Sequence, residues 1–168
     1  MGFDGVQNFP TVGLIDGSFR RDLEDTGFGY GKEVEVMRAA KEEHDLLTTP
    51  YVFNVAETVR MAEVGVDIIV IHLGLTAGGS IGAKAVGNGL DEAVERVRVM
   101  ANAAYSVNRD QVILVHGGCI ATPRDVEYVL EKLPKGTIDG FYGASSMERL
   151  PVELSITDTV RKFKALKL

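Results

Sequence analysis

The sequence contains a single cysteine, Cys119, and therefore cannot form an internal disulfide bond. One unpaired cysteine is typical of a protein kept in a reducing compartment, so we expect a cytoplasmic location. No apolar run approaches the roughly 20 residues that a membrane-spanning helix needs. The first residues also lack the basic and apolar regions of a secretory leader, and we expect none.

Basic residues are few as well. Lysine and arginine number 18 against 24 aspartates and glutamates, and the net charge is −6. Because no basic stripe offsets this charge, we expect no nucleic-acid partner and no membrane-surface partner. Hydrophobic residues make up 45% of the 168 residues, which is ordinary for a globular chain. This length suffices for one domain with a core, and we assign residues 1–168 to it.

Short apolar runs alternate with helical patterns along the chain. The predicted strands cover 3–8, 46–53, 66–72, 111–115 and 137–142. The predicted helices cover about 32–43, 54–65, 91–106 and 152–165, and a further helix begins at 122. This alternation favours parallel strands joined by right-handed crossovers. An apolar residue and an aspartate recur at the entrance of three strands, which favours a repeated βα unit. There is no G-x-G-x-x-G after the first strand to indicate a dinucleotide-binding fold.

Local patterns add detail to this prediction. Ala93, Val97, Met100, Ala101 and Ala104 follow helical spacing and predict one buried face. Asn54 with Glu57, and Thr122 with Asp125, predict helix starts. Segment 11–31 predicts a long functional loop, with a short strand at 12–15.

The predicted fold class is α/β, a parallel (β/α) TIM-barrel-like fold truncated to about five βα units. A full barrel has eight units and roughly 250 residues. Five units form an arc that cannot close, so its end strands have open edges. We therefore expect oligomerisation or a complementing fragment.

Two histidines occupy equivalent positions. His72 and His116 each end a buried strand and are followed within two residues by glycine, whereas His44 precedes a strand. Ligands bind at the carboxyl ends of parallel strands, so His72 and His116 are the candidates for acid–base chemistry. A structural imidazole is the alternative at each position.

Glycine-rich segments follow the same strands. The loop 74–89 offers amide groups that can surround an anion, although a flexible connector is the alternative. Gly117-Gly118 and the segment 143–146 follow the last two strands, where barrels often bind phosphate. These segments predict a phosphate- or carboxylate-binding site.

Other reactive groups give weaker signals. Asp16 is the best of the first-loop carboxylates for acid–base work or a metal, and most of the others are expected on the solvated surface. Cys119 fits a small buried hydrophobe better than a nucleophile. No histidine–carboxylate spacing is diagnostic of a metal site. The sequence has no G-x-S-x-G elbow and no P-loop.

Eight motifs carry a family resemblance that covers essentially the whole chain. They are V-Q-N-F-P-T-V-G-L-I-D-G at 6–17, L-E-D-T-G at 23–27, G-F-G-Y at 27–30, L-T-T-P-Y at 47–51, H-L-G-L-T at 72–76, G-G-S-I-G at 78–82, H-G-G at 116–118 and G-F-Y-G-A-S-S-M-E-R-L-P at 140–151. With these motifs the sequence resembles the phosphoenolpyruvate hydrolase-like family, also called TIM-barrel signal transduction proteins.

The resemblance implies a barrel of about eight units, of which this chain matches units four to eight. The chain is then a truncated product, one piece of a split barrel, or a half-barrel completed by another copy. The implied activity is hydrolysis of a small phosphorylated or carboxylate substrate of the keto-acid type. A non-catalytic ligand-binding or signal-transduction module is the alternative, and related domains are associated with ATP-binding partner domains.

The resemblance also implies roles for particular residues. His72 or His116 would act as general acid or base, and Asp16 or Glu24 would orient water or hold a divalent cation such as magnesium. The implied substrate-binding residues are Asn8, Thr49, Gly78, Gly79, Gly117, Gly118, Gly143, Ser145 and Ser146. The sequence assigns no metal ligand beyond these two carboxylates and no other cofactor.

Overall fold

The computed structural model describes residues 2–84 and 89–167, so positions 85–88 of the predicted glycine-rich loop 74–89 lie outside the described residues. The strands are β1 (Gly5–Val6), β2 (Leu47–Thr48), β3 (Tyr51–Val52), β4 (Ile68–His72), β5 (Val112–His116) and β6 (Gly140–Phe141). The α-helices are α1 (Gly17–Asp25), α2 (Tyr30–His44), α3 (Val55–Glu63), α4 (Leu90–Val107), α5 (Pro123–Lys132), α6 (Ser145–Glu148) and α7 (Leu150–Lys164).

Every strand pair in the described part of the chain is parallel. β1 pairs with β2, and β3, β4, β5 and β6 form a second sheet in that order. The strands do not close into a barrel, so the fold is α/β and consistent with a partial TIM barrel. The predicted fold class is thereby confirmed.

The predicted second strand, 46–53, is two strands that belong to different sheets. Pro50 has no amide hydrogen and lies between β2 and β3, so the ladder breaks there. Its carbonyl still accepts a hydrogen bond from Val70 N at 2.9 Å. The proline therefore marks the point where the chain passes from pairing with β1 to pairing with β4.

Segment 11–31 is not the long loop that its glycines predicted. A 3₁₀ helix at Val12–Leu14 replaces the predicted short strand, and α1 follows with Asp16 as its N-cap residue. Gly27 and Gly29 lie after the end of α1 and do not interrupt it. Arg20 donates to Glu24 one turn later at 2.8 Å, a pairing that supports an exposed helix without an apolar stripe.

The helices cover the β3–β6 sheet with the faces that their spacing predicted. The buried residues of α4 are Ala93, Val97, Met100, Ala101 and Ala104. These are the five predicted positions, and they share one core cluster with Ile69, Ile71, Ile113 and Val115 of the central strands. By contrast, α7 buries none of its residues.

The start of α5 allows a direct test of local stability. Thr122 and Asp125 form a reciprocal capping box, in which each side chain accepts from the other residue's amide. Replacing Thr122 with alanine is expected to lower the free energy of unfolding by about 1 kcal/mol, measured by urea denaturation. Thr157→Ala, within exposed α7, is the matched control and should cause no loss. Equal losses in both variants would contradict the capping role.

Candidate functional site

The two candidate histidines lie side by side at the carboxyl edge of the sheet. His72 ends β4, His116 ends β5, and the two residues are register partners. Their ring centroids are 4.8 Å apart with an interplanar angle of 66°. Both side chains are buried, at 3% and 7% exposure. Because the two histidines occupy equivalent positions on neighbouring parallel strands, their imidazole rings lie in contact as a pair.

Backbone partners give the two rings opposite tautomers. The amide of Gly74 donates to His72 Nδ1 at 3.0 Å, so Nδ1 carries a lone pair and the neutral ring holds its proton on Nε2. His116 Nδ1 lies 2.6 Å from the carbonyl oxygen of Tyr142, which can only accept, so this ring is protonated on Nδ1. In the neutral pair His72 therefore has a donor at Nε2, and His116 has a basic lone pair at Nε2.

Burial keeps both imidazoles neutral at physiological pH. The pKa of His72 falls from 6.5 to about 4 through burial first, and then through the neighbouring His116 and Arg96. Burial also lowers the pKa of His116, although its hydrogen bond to the Tyr142 carbonyl opposes the change. The two tautomers described above are therefore the forms present near pH 7.

Aromatic side chains surround the histidine pair. Tyr51 stacks on His116 with centroids 5.0 Å apart and meets His72 edge-on at 4.7 Å. Phe53 lies 4.8 Å from His72, and Tyr142 lies 5.9 Å from His116. Such contacts fix the ring orientations. Sequence reasoning missed these three aromatic residues, although Phe53 and Tyr142 end predicted strands and Tyr51 lies within one.

The two glycines of the H-G-G motif allow the loop after β5 to pack closely against the loop after β4. Gly117 and Gly118 have φ values of +71° and +60°. A Cβ at Gly117 would lie 2.3 Å from Gly74 O, and one at Gly118 would lie 2.7 Å from Leu73 O. The amide of Gly118 donates to Gly74 O at 2.7 Å, so that predicted anion-binding group already has a partner. These glycines hold the β4 loop against the β5 loop.

The other predicted glycine and serine binding residues lie in the loops that follow β4 and β6 and in helix α6. Gly78 and Gly79 lie in the loop after β4 and contact α7, as described below. Gly143 follows β6, and Ser145 begins the short helix α6. Ser146 lines a pocket of about 270 Å³ together with Thr122 and Phe141. All of these loops lie at the same end of the β3–β6 sheet as the histidines.

Asn8 acts through Tyr51. Its Oδ1 accepts from Tyr51 N at 2.7 Å, and its Nδ2 donates to Tyr51 O at 3.1 Å and to Glu33 Oε2 at 2.6 Å. Asn8 therefore orients the tyrosine that stacks on His116. Thr49 hydrogen-bonds the carbonyl of Val6 instead and joins β1 to β2.

Neither predicted carboxylate joins the histidines. Asp16 is exposed at the start of α1. Glu24 Oε1 accepts from Arg20 Nε at 2.8 Å and from Tyr30 N at 3.1 Å. The amide of Tyr30 and then Arg20 lower the pKa of Glu24. The hydrogen bonds of Glu24 tie α1 to the start of α2.

Three further features concern metal ligands, membrane-spanning helices and the cysteine. Within residues 2–84 and 89–167, no cluster of three or more histidine, cysteine, aspartate or glutamate side chains has the arrangement to hold a metal ion. None of the helices in this part of the chain has the length and hydropathy needed to cross a bilayer. Cys119 is half-buried, and burial raises the pKa of its thiol.

Comparison with known proteins extends these observations. Two proteins of Solanum lycopersicum, the ToMV susceptible protein tm-1 and the ToMV resistance protein Tm-1, are each 54% identical over all 168 residues. A protein of Sinorhizobium fredii with the name "Putative transcriptional regulatory protein y4pA" is 35% identical over 165 residues, or 98% of the chain. The chain spans 22% of the length of the tomato proteins and 26% of the bacterial one.

A family profile covers nearly the whole chain. The family described as phosphoenolpyruvate hydrolase-like matches residues 1–166. This match agrees with the eight motifs in the sequence and with the parallel α/β architecture. The chain therefore belongs to the phosphoenolpyruvate hydrolase-like family.

Proposed function

We propose that the chain is an enzyme domain that hydrolyses a small phosphorylated or carboxylate substrate of the keto-acid type. The observation that carries this proposal is the histidine pair, which combines one ring donor and one ring base at the ends of adjacent strands. Family membership supports the substrate class. One core cluster that runs from Tyr30 to Ile138 supports residues 1–168 as a single partial-barrel domain.

The opposite tautomers suit hydrolysis of an enol phosphate. His116 Nε2 removes a proton from water as the water oxygen bonds to phosphorus and the bond from phosphorus to the enol oxygen breaks. His72 Nε2 donates a hydrogen bond to the enol oxygen while that oxygen gains negative charge. The enolate then takes up at carbon the proton that His116 accepted, which returns His116 to its neutral form, and the products are phosphate and a keto acid.

The surroundings of the pair favour this chemistry. Burial lowers the pKa of His116, so the unprotonated form, which is the form that can accept a proton, dominates near pH 7. The low pKa of His72 keeps that ring neutral near pH 7, with its proton on Nε2. Tyr51 and Phe53 limit water around the rings and so strengthen both hydrogen bonds.

The loop residues have supporting parts in this proposal. Gly117 and Gly118 let the two histidine-bearing loops approach each other. Ser146 lines the pocket beside Phe141 and contributes a hydroxyl group for a substrate, and Ser145 precedes it at the start of α6. We assign Asp16 and Glu24 no step in this mechanism, because Asp16 is the N-cap residue of α1 and Glu24 bonds to Arg20 and to the amide of Tyr30.

A second function, ligand binding without turnover, has its own support. The names of the relatives refer to virus resistance and to transcriptional regulation, and none of these names states a reaction. The same site would then hold an anionic ligand and signal its presence to the rest of a longer protein. In either case β6 ends the described sheet with an unpaired edge, which a second copy or a complementing barrel fragment would cover.

Incubation with phosphoenolpyruvate tests the proposed function. Pyruvate and inorganic phosphate should appear in equal amounts, measured by coupled lactate dehydrogenase and by a molybdate assay, with and without added magnesium. Thermal stabilisation by phosphoenolpyruvate without product would overturn hydrolysis in favour of the binding module. Absence of both product and stabilisation would contradict both functions.

A further inference from the structure

A turn in the loop after β4 holds one of the chain's own carboxylates. The amide of Ser80 donates to Glu153 Oε2 at 2.7 Å. Arg149 Nη1 donates to Glu153 Oε1 at 3.0 Å and to Gly78 O, also at 3.0 Å. One negatively charged group thus lies between a backbone amide and a guanidinium, which is the arrangement that binds oxyanions in proteins.

The glycine in this turn is required for that approach. Gly79 has a φ of +72°, and a Cβ there would lie 2.3 Å from Glu153 Oε2 and 2.4 Å from Arg149 Nη1. Any side chain at this position would push both charged groups away from the backbone. The double glycine before Ser80 therefore allows an anion and a cation to lie directly on the turn.

The turn borders a cavity at the end of the sheet where the strands have their carboxyl ends. The cavity has a volume of about 340 Å³. Its lining includes Gly79 from the loop after β4, Cys119 and Thr122 from the loop after β5, and Leu150 and Glu153 from α7. Three successive βα connections thus meet around it, as they do around the ligands of α/β proteins.

Displacement of Glu153 breaks its bonds to Ser80 N and Arg149 but disturbs no buried residue of α7. None of the residues of α7 is buried. The side chains of Arg149 and Glu153 are 16% and 24% exposed, so both already contact solvent. Withdrawal of Glu153 would open the turn without uncovering core residues.

We propose that the turn 78–80 and Arg149 form a binding site for the phosphate or carboxylate group of a small ligand, and that Glu153 occupies this site when the ligand is absent. The ligand's oxyanion takes the place of the Glu153 carboxylate, accepting from Ser80 N and from Arg149. The proposal rests on the proposed function only in placing the ligand at this end of the sheet. Binding is thereby coupled to release of α7 from the β4 loop.

Phosphate titration of the whole chain tests the proposal. Glu153→Gln removes the competing charge, and the Kd for inorganic phosphate should fall by about tenfold in isothermal titration calorimetry at constant ionic strength. Arg149→Gln should abolish binding, and Arg149→Lys should weaken it while circular dichroism confirms the fold of each variant. Glu131→Gln, a surface change on α5, should leave the Kd unchanged.

Two results would overturn the proposal. An unchanged phosphate affinity in Glu153→Gln, accompanied by a lower melting temperature, would mean that the ion pair only fastens α7. Equal phosphate binding by wild-type and by folded Arg149→Lys and Arg149→Gln proteins would place the anion elsewhere. Neither result depends on turnover, so a chain that binds phosphate through Arg149 without hydrolysing phosphoenolpyruvate would refute the proposed function alone.

Discussion

Replacing His116 with asparagine is expected to lower kcat/KM for phosphoenolpyruvate by about 10²–10⁴-fold while the fold is retained. The amide nitrogen of asparagine can occupy the position of His116 Nδ1 and keep donating to the carbonyl of Tyr142. The substitution removes Nε2, which is the proposed base, together with the ring that stacks on Tyr51. Steady-state pyruvate release measures the effect, and circular dichroism confirms the fold.

The third histidine provides the matched control. His44 is exposed at the end of α2, before β2, and so lies away from the carboxyl ends of the strands. His44→Asn should therefore leave kcat/KM within about twofold of the wild-type value. If His116→Asn retained wild-type activity, His116 would not be the base. Wild-type activity should decline as the pH falls through the pKa of His116, which lies below 6.5.

The strand ends and their histidines could be predicted because the signal there is local. Val112–His116 and Ile68–His72 are apolar, rich in β-branched residues, and end at a titratable group before glycine. A parallel sheet then places the last residues of adjacent strands together whatever the loops do. The buried face of α4 could also be predicted, since helical spacing alone selects its buried positions.

The detailed chemistry of the pair could not be predicted, because it depends on contacts distant in sequence. The tautomer of His116 follows from the carbonyl of Tyr142, 26 residues away. Tyr51 contacts the same ring, and its amide is bonded to Asn8, 43 residues earlier. Helix α1 was missed for a different reason, since glycines around it suggest a loop and its stabilising pairs leave no apolar stripe.

Glycine motifs illustrate how one pattern serves two purposes. Gly117 and Gly118 suggested an anion site, yet their backbone approaches another loop and the Gly118 amide is bonded within the chain. Gly79 has the same positive φ, but a charged pair lies against it. Sequence alone does not separate these cases, because the deciding neighbour, Glu153, is more than 70 residues away.

Acidification is expected to destabilise the chain through His72. The pKa of His72 is about 4 in the folded state, against 6.5 for a solvated histidine. Between these pH values the unfolded chain binds a proton that the folded chain does not, so stability decreases as the pH falls from about 6.5 to about 4. At roughly 1.4 kcal/mol per pKa unit, the loss is about 3 kcal/mol, and His116 adds to it in the same direction.

The variant His72→Asn separates this contribution from general acid effects. Its Oδ1 can accept from the amide of Gly74 as Nδ1 does, but the side chain does not titrate. Urea denaturation at pH 7 and at pH 4.5 should show a smaller loss of stability in His72→Asn than in the wild type, whereas His44→Asn should match the wild type. An undiminished loss in His72→Asn would mean that the imidazole titrates normally in the folded chain, and the neutral donor assigned to His72 would then lack its physical basis.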